Sequence, residues 1–266
     1  MAAAHRWRVK LIAWLTPPLP DLTIVGAGID IGRDLTAASR WHIERADKVL
    51  FLVGDAVAAR SVVELNANSE SLSELYDVAK PRIDTYEEMV AHILTYVHSG
   101  AKVCVVAYGH PGIFAYPMHK ALDRARAEGY TAALLPAVSS IDCLLADLNV
   151  DPAGDGLQIF DASDLLLNDR AFSVTAPLVL LQVAVTGDSS FRLECSREGV
   201  ARLAKHLSAR YGAGHGAIVY EAAQYSGFAP NVEHTTLSAL EEADITIGST
   251  LFVPPKREPA VGEEAL

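Results

Sequence analysis

Val103-Cys104-Val105-Val106-Ala107-Tyr108-Gly109-His110-Pro111-Gly112 is the stretch on which the fold turns. An unbroken apolar run ends in two glycines and a proline. A run of that length, closed by turn residues, reads as a strand buried on both faces. Glycines let backbone approach a ligand closely, and Pro111 sets the chain direction after the strand. A loop at the end of such a strand lies where open α/β sheets bind their ligands. Read from the residues alone, a structural turn and a ligand loop both fit. His110 can donate or accept a hydrogen bond there. It has no spaced histidine or carboxylate partners, so no metal site is expected.

The pattern repeats on either side. Leu22-Thr23-Ile24-Val25 runs into Gly26-Ala27-Gly28, and 48–53 forms another apolar run after a helix ending near Ala46. Met89, Val90, Ile93, Leu94 and Val97 recur at helical spacing over 86–98, and Gly100 stops that helix. A helix over 118–128 leads to Ala132-Ala133-Leu134-Leu135-Pro136. Beyond it, Ser139 or Ser140 caps a helix through Leu148. Residues 177–183, 217–220 and 251–253 read as strands, and 198–211 as an amphipathic helix. Buried strands alternating with helices predict two α/β lobes, at 22–136 and 137–255, with an N-terminal extension over 1–21 and a disordered polar tail over 256–266.

Composition narrows the function. With 22 Lys and Arg against 33 Asp and Glu, the formal net charge is −11, which disfavours a nucleic-acid partner because phosphate binding rests on a basic face. Cys104, Cys143 and Cys195 form no C-x-x-C pair, so neither a disulfide framework nor zinc is indicated, and a reducing cytoplasm is expected. Arg6, Arg8 and Lys10 precede the short apolar run 11–15, but Pro17-Pro18 follows with no small-residue cleavage site, so this reads as an extension and not a secretory signal. No apolar run is long enough to span a membrane. Gly26-x-Gly28 lacks the third glycine of a dinucleotide fingerprint, its place being taken by Ile31.

Tyr76, Arg82 and Tyr86 form a further constellation. Pro81 suits a helix start, and Arg82 and Tyr86 then lie four apart on one face. A guanidinium beside a phenol favours the phenolate, a base at neutral pH; a surface arginine stacked on tyrosine is the plainer alternative.

Together these pieces resemble the tetrapyrrole methylase superfamily of S-adenosylmethionine (SAM)-dependent methyltransferases over about 22–255. The markers are the Gly26-Ala27-Gly28 turn, the Gly109-His110-Pro111 loop, Leu135-Pro136-Ala137-Val138-Ser139-Ser140, and Gly248-Ser249-Thr250-Leu251-Phe252-Val253-Pro254-Pro255. His110 stands where the superfamily usually has Asp, and Ala137 where glycine is common. Those departures, with Ala146-Asp147-Leu148-x-x-Asp151-Pro152 and the Tyr-x5-Arg-x3-Tyr spacing of Tyr76, Arg82 and Tyr86, are similar to the borosin α-N-methyltransferases, which methylate backbone amides of ribosomally made peptides.

The resemblance implies two α/β lobes with the SAM site in the cleft between them, and an intertwined homodimer. It implies SAM contacts at Tyr108, His110, Ile113, Phe114, Ser139, Gln182, Val183, Tyr220, Ser249 and Thr250. It implies that Arg82 stabilises the amide oxygen, that Tyr76 takes the N–H proton directly or through water, and that Tyr86 orients the amide; either tyrosine can be the base. The residues after Pro255 contain no apolar run like a core peptide, so a separate precursor peptide, as in the split borosins, is expected. A precorrin-type C-methyltransferase and a peptide-binding pseudoenzyme are the alternatives.

Overall fold

The computed structural model describes residues 18–77, 80–188 and 194–256; residues 1–17 and 257–266, which hold most of the expected extension and tail, lie outside them. The chain forms two compact units. Of the described residues, one contains those up to Ala27, Leu35–Glu74 and Glu88–Ala137; the other contains Gly28–Asp34, those within Leu75–Glu87 and those from Val138 on. Two short segments of the first half therefore group with the second unit, an assignment that depends on long-range contacts.

The first unit is built on a five-stranded, wholly parallel sheet of β1 (Leu22–Gly26), β2 (Lys48–Leu52), β3 (Ser69–Ser71), β4 (Val103–Ala107) and β5 (Ala132–Leu134), in the order β3-β2-β4-β1-β5. All five residues of β1 and of β4 are buried, as the apolar runs predicted. Its helices are α1 (Ala37–Arg45), α2 (Ala56–Leu65), α4 (Tyr116–Ala127) and, from Glu88 on, α3 (Arg82–His98), whose first turn groups with the second unit. The side chains of Met89, Val90, Ile93, Leu94 and Val97 on α3 are all essentially inaccessible, each contributing about 1.5–3 kcal/mol through burial. At the N-terminal edge, Asp21 accepts from Lys102 Nζ at 2.8 Å and from the Thr131 amide and hydroxyl at 2.8 and 2.7 Å, tying the starts of β1, β4 and β5.

Chain order places the ligand-binding end. From β1 the chain goes to β2, and from β4 to β5, in opposite directions across the sheet, so the adjacent carboxyl ends of β1 and β4 form a topological switch point. Gly26 pairs with Ala107 there. A Cβ on Gly26 would stand 2.2 Å from the Gly109 carbonyl oxygen and 2.8 Å from Pro111 Cδ. Only glycine lets the loop after β4 lie across β1.

The second unit carries a mixed sheet, β6 (Gln158–Asp161), β7 (Leu178–Leu181), β8 (Gly216–Glu221), β9 (Asn231–Thr236) and β10 (Thr250–Val253), ordered β6-β7-β10-β8-β9 with only β6 and β7 parallel. Its helices are α5 (Ser140–Asp147), α6 (Ala162–Leu167) and α7 (Arg197–Tyr211). Alternate residues face opposite ways. Leu178, Leu180, Val219, Leu251 and Val253 pack with α6 and α7, whereas Val179, Tyr220 and Phe252 pack with Leu144 of α5 and with Ile29. The edge strands β6 and β9 escaped the sequence reading, and so did α2. Both edge strands are only partly buried, so neither shows an apolar run.

Candidate active site

Each unit presents its own set of side chains. In the first, the Tyr108 amide donates to the Leu52 carbonyl at 2.8 Å, and a tight turn follows in which Gly109 has φ +64°. The Gly112 amide donates to His110 Nδ1 at 3.0 Å, and the Ile113 amide to the His110 carbonyl at 3.1 Å. His110 Nδ1 is thus an acceptor, so the neutral ring carries its proton on Nε2 and has that N–H as a donor. Ile113 is half-buried, while the Tyr108 and Phe114 rings are 41% and 48% exposed. This loop offers two aromatic faces and one imidazole donor.

In the second unit most of the expected cofactor residues are built into the scaffold. Ser139 caps α5 in a reciprocal box: its hydroxyl accepts from the Asp142 amide at 3.3 Å, and the Asp142 carboxylate accepts from the Ser139 amide at 2.7 Å. Tyr220 is fully buried, and its hydroxyl donates to Asp147 at 2.6 Å. Ser249 closes a turn, accepting from the Thr246 amide at 2.9 Å, and Thr246 in turn donates to Glu221 at 2.7 Å. Thr250 is buried beside Tyr220 in the register of β10 on β8. Val183 packs in the core, so its side chain is not available to a ligand and only its backbone is. Gln182 is the exposed member, at the end of β7.

Backbone conformation separates these residues further. Among the described residues Phe114, Asn149, Asp169 and Gln182 have positive φ, at 50°, 52°, 42° and 61°. Asn149 and Asp169 stand just past α5 and α6, where the left-handed conformation is an ordinary helix stop. Phe114 and Gln182 follow no helix. Side chains held in that region cost about 1–3 kcal/mol and gather at functional sites.

Tyr76, Arg82 and Tyr86 all belong to the second unit, within Leu75–Glu87, and the structure brings them together. Tyr76 follows a 3-10 turn over Leu72–Leu75, and α3 starts at Arg82, directly after Pro81. Tyr76 is hydrogen-bonded to Tyr86 and feels the charge of Arg82. Arg82 Nη2 donates to the Asp188 carbonyl at 3.4 Å, which joins the cluster to the turn that begins at Gln182. The expected phenolate does not follow. Burial first, and then Tyr86, push the Tyr76 phenol above its ordinary range, and Arg82 offsets this only in part. The phenolate would have to be desolvated, and one guanidinium does not compensate for that.

Sequence reasoning missed Asp142, Asp147 and the Asp188 carbonyl. Asp142 left a signal, three residues after the capping serine, and Asp147 stood in the sequence only as part of a marker of the borosin resemblance, with no role attached. No group of three or more His, Cys, Asp or Glu among the described residues is arranged to hold a metal ion, and no described helix is long and apolar enough to cross a membrane.

A parallel α/β unit with a glycine-bounded loop at its switch point, followed by a mixed-sheet unit, is the architecture of one methyltransferase class. The chain matches the family described as Tetrapyrrole (Corrin/Porphyrin) Methylases over residues 21–241 and belongs to it. It is similar to the methyltransferase/ribosomally synthesized cyclic peptide omphalotin A precursor of Omphalotus olearius, with 38% identity over 247 residues, 90% of this chain and 59% of that protein. It is also similar to the gymnopeptides precursor of Gymnopus fusipes, with 37% identity over 243 residues, 89% and 57% of the two chains. The type I borosin cyclic peptide precursor of Coprinopsis marcescibilis is 36% identical over 251 residues, 92% and 64%. The borosin resemblance is thus borne out, and the chain spans about three fifths of the length of these relatives. Among solved structures, uroporphyrin-III-C-methyltransferase from Thermus thermophilus superposes with a TM-score of 0.62 at 20% identity, covering 88% of this chain and 91% of that one. At that identity the likeness concerns the fold.

Proposed function

We propose that the protein transfers the methyl group of S-adenosylmethionine to backbone amide nitrogens of a ribosomally made precursor peptide, presented as a separate chain, and that it acts as a homodimer. The observation that carries this reading is the Tyr76–Tyr86 hydrogen bond beside Arg82. The similarity to methyltransferase/cyclic peptide precursor proteins supports the substrate class.

The chemistry of the donor set suits the cofactor. Exposed rings at Tyr108 and Phe114 offer faces to a purine or a sulfonium cation. His110 Nε2–H and the Gln182 carboxamide offer polar contacts, and the glycine turn lets backbone groups approach. Ser139, Tyr220, Ser249 and Thr250 act by holding the backbone that lines the site. When bound, S-adenosylmethionine supplies an electrophilic methyl group.

An amide nitrogen is a poor nucleophile because its lone pair is shared with the carbonyl. The protein's task is to draw negative charge onto the amide oxygen and let the N–H proton go. Arg82 stabilises that oxygen as preorganised charge does in an oxyanion hole. Tyr76 keeps its proton, so it serves as a hydrogen-bond donor beside Arg82, with Tyr86 orienting it. The amide proton then leaves through water, one of the two routes the residues allow.

The test is to incubate the protein with S-adenosylmethionine and candidate precursor peptides and to locate added methyl groups by tandem mass spectrometry. Methyl groups on backbone nitrogens are expected. Methylation of a tetrapyrrole but of no peptide overturns the reading, and modification of this chain's own residues instead of the added peptide overturns the separate-substrate arrangement. Light scattering tests the dimer.

A further inference from the structure

We infer that Thr85 is a positioning residue of the same site, its hydroxyl holding a water molecule on the path by which the amide proton leaves. The inference rests on the reading above and adds a residue that reading does not use. Thr85 is wholly buried, and its Oγ1 has no hydrogen-bond partner among the described residues. A threonine inside a helix can turn its hydroxyl back onto the carbonyl four residues earlier; here that is Pro81, and Thr85 does not use it. A buried hydroxyl left this way destabilises a fold, where an aliphatic side chain of similar shape would not.

Its place on the helix gives the orphan group a use. Residues three and four apart are neighbours on a helix surface, so Thr85 and Tyr86 both adjoin Arg82 from the next turn of α3. Tyr76 reaches the same turn through its bond to Tyr86. One helical turn therefore carries the guanidinium, the tyrosine pair and a hydroxyl able both to donate and to accept. Buried waters bind where polar groups lack protein partners. A water on Thr85 Oγ1 would accept the amide proton as the N–H bond breaks and would release it to solvent; the bonding pair would stay on nitrogen to form the N–CH₃ bond as the methyl's bond to the sulfonium sulfur breaks, that pair returning to sulfur in the departing S-adenosylhomocysteine.

Thr85→Val and Thr85→Ser separate this role from packing. Thr85→Val is expected to bind S-adenosylhomocysteine like the wild type, to melt no lower, and to lose kcat by about tenfold or more with little change in peptide KM. Thr85→Ser, which restores the hydroxyl, should return most of the rate. Wild-type kcat in Thr85→Val overturns the inference, as do equal losses in both variants with lowered Tm. If the wild type methylates no peptide, the functional reading fails, and crystallography decides the inference separately. A water bonded to Thr85 Oγ1 in the wild type and missing in Thr85→Val supports it; a Thr85 hydroxyl turned onto the Pro81 carbonyl with no such water overturns it.

Discussion

Tyr76 and Tyr220 are both withdrawn from water in the second unit, and burial pushes both phenols above their ordinary range. Their partners differ. Tyr220 donates to a carboxylate, Asp147, at the end of α5 and is enclosed by core residues. Its proton has a fixed acceptor, and the bond joins β8 to a helix. Tyr76 is bonded to another phenol, with a guanidinium close enough to act on it electrostatically. The first arrangement joins a strand to a helix, and the second sets two phenols beside a cation. Residue type and burial do not distinguish them; the neighbours do.

The largest expected effect tests that contrast from the catalytic side. Tyr76→Phe should slow peptide methylation by about 10²–10³-fold, the usual loss when one preorganised hydrogen-bond donor is removed, and leave the unfolding midpoint nearly unchanged, as rate assays and denaturant titration will show. Tyr220→Phe should do the reverse. It removes the hydrogen bond of a buried phenol to a solvent-exposed carboxylate, so a stability loss of about 0.5–1.5 kcal/mol is expected, with the turnover of folded protein preserved. A Tyr220→Phe variant that is stable but inactive would erase the distinction.

Gln182→Gly gives a smaller effect. Glycine adopts φ near 61° without strain, so the folded state should gain up to about 1 kcal/mol, while affinity for S-adenosylhomocysteine falls. Unchanged affinity would remove Gln182 from the site. Glu70 provides a carboxylate counterpart to Asp147. It accepts from Lys48 at 2.8 Å and Tyr96 at 2.8 Å and lies 2.6 Å from His92 Nε2. The Lys48 bond is the leading cause that lowers its pKa to about 2. Because this lies below the unfolded value of about 4.3, its contribution is full above that value and is lost as pH falls toward 2. Glu70→Gln should therefore show a shallower loss of stability between about pH 4 and 2 in acid titrations followed by circular dichroism.

What could be read in the sequence followed from local pattern. The runs at 22–25, 103–107, 177–183 and 251–253 announced β1, β4, β7 and β10, because strands buried on both faces must be apolar throughout. Ser139 announced the start of α5 through its own capping chemistry. What stayed hidden depends on the rest of the chain. The edge strands β6 and β9 bury too little to leave a pattern. Leu75–Glu87 joins the second unit through contacts distant in sequence. The spacing of Tyr76, Arg82 and Tyr86 grouped side chains that are also neighbours in the structure, but it suggested a phenolate because spacing carries the guanidinium's charge and not the desolvation that outweighs it. Thr85 gave no sign at all, since an orphan hydroxyl is defined by what surrounds it.

In the proposed function the Tyr76, Arg82 and Tyr86 cluster acts on the amide and not on the cofactor. Arg82→Ala separates the two most directly, with S-adenosylhomocysteine affinity measured by calorimetry and single-turnover methylation of the peptide measured on the same preparation. The account predicts nearly unchanged affinity and a rate lower by about 10²–10³-fold, the usual loss when one oxyanion-stabilising donor is removed, with Arg82→Lys also impaired because a point charge does not reproduce the planar fork. Affinity and rate falling together would place Arg82 in the cofactor site, and an unchanged rate would remove it from the chemistry.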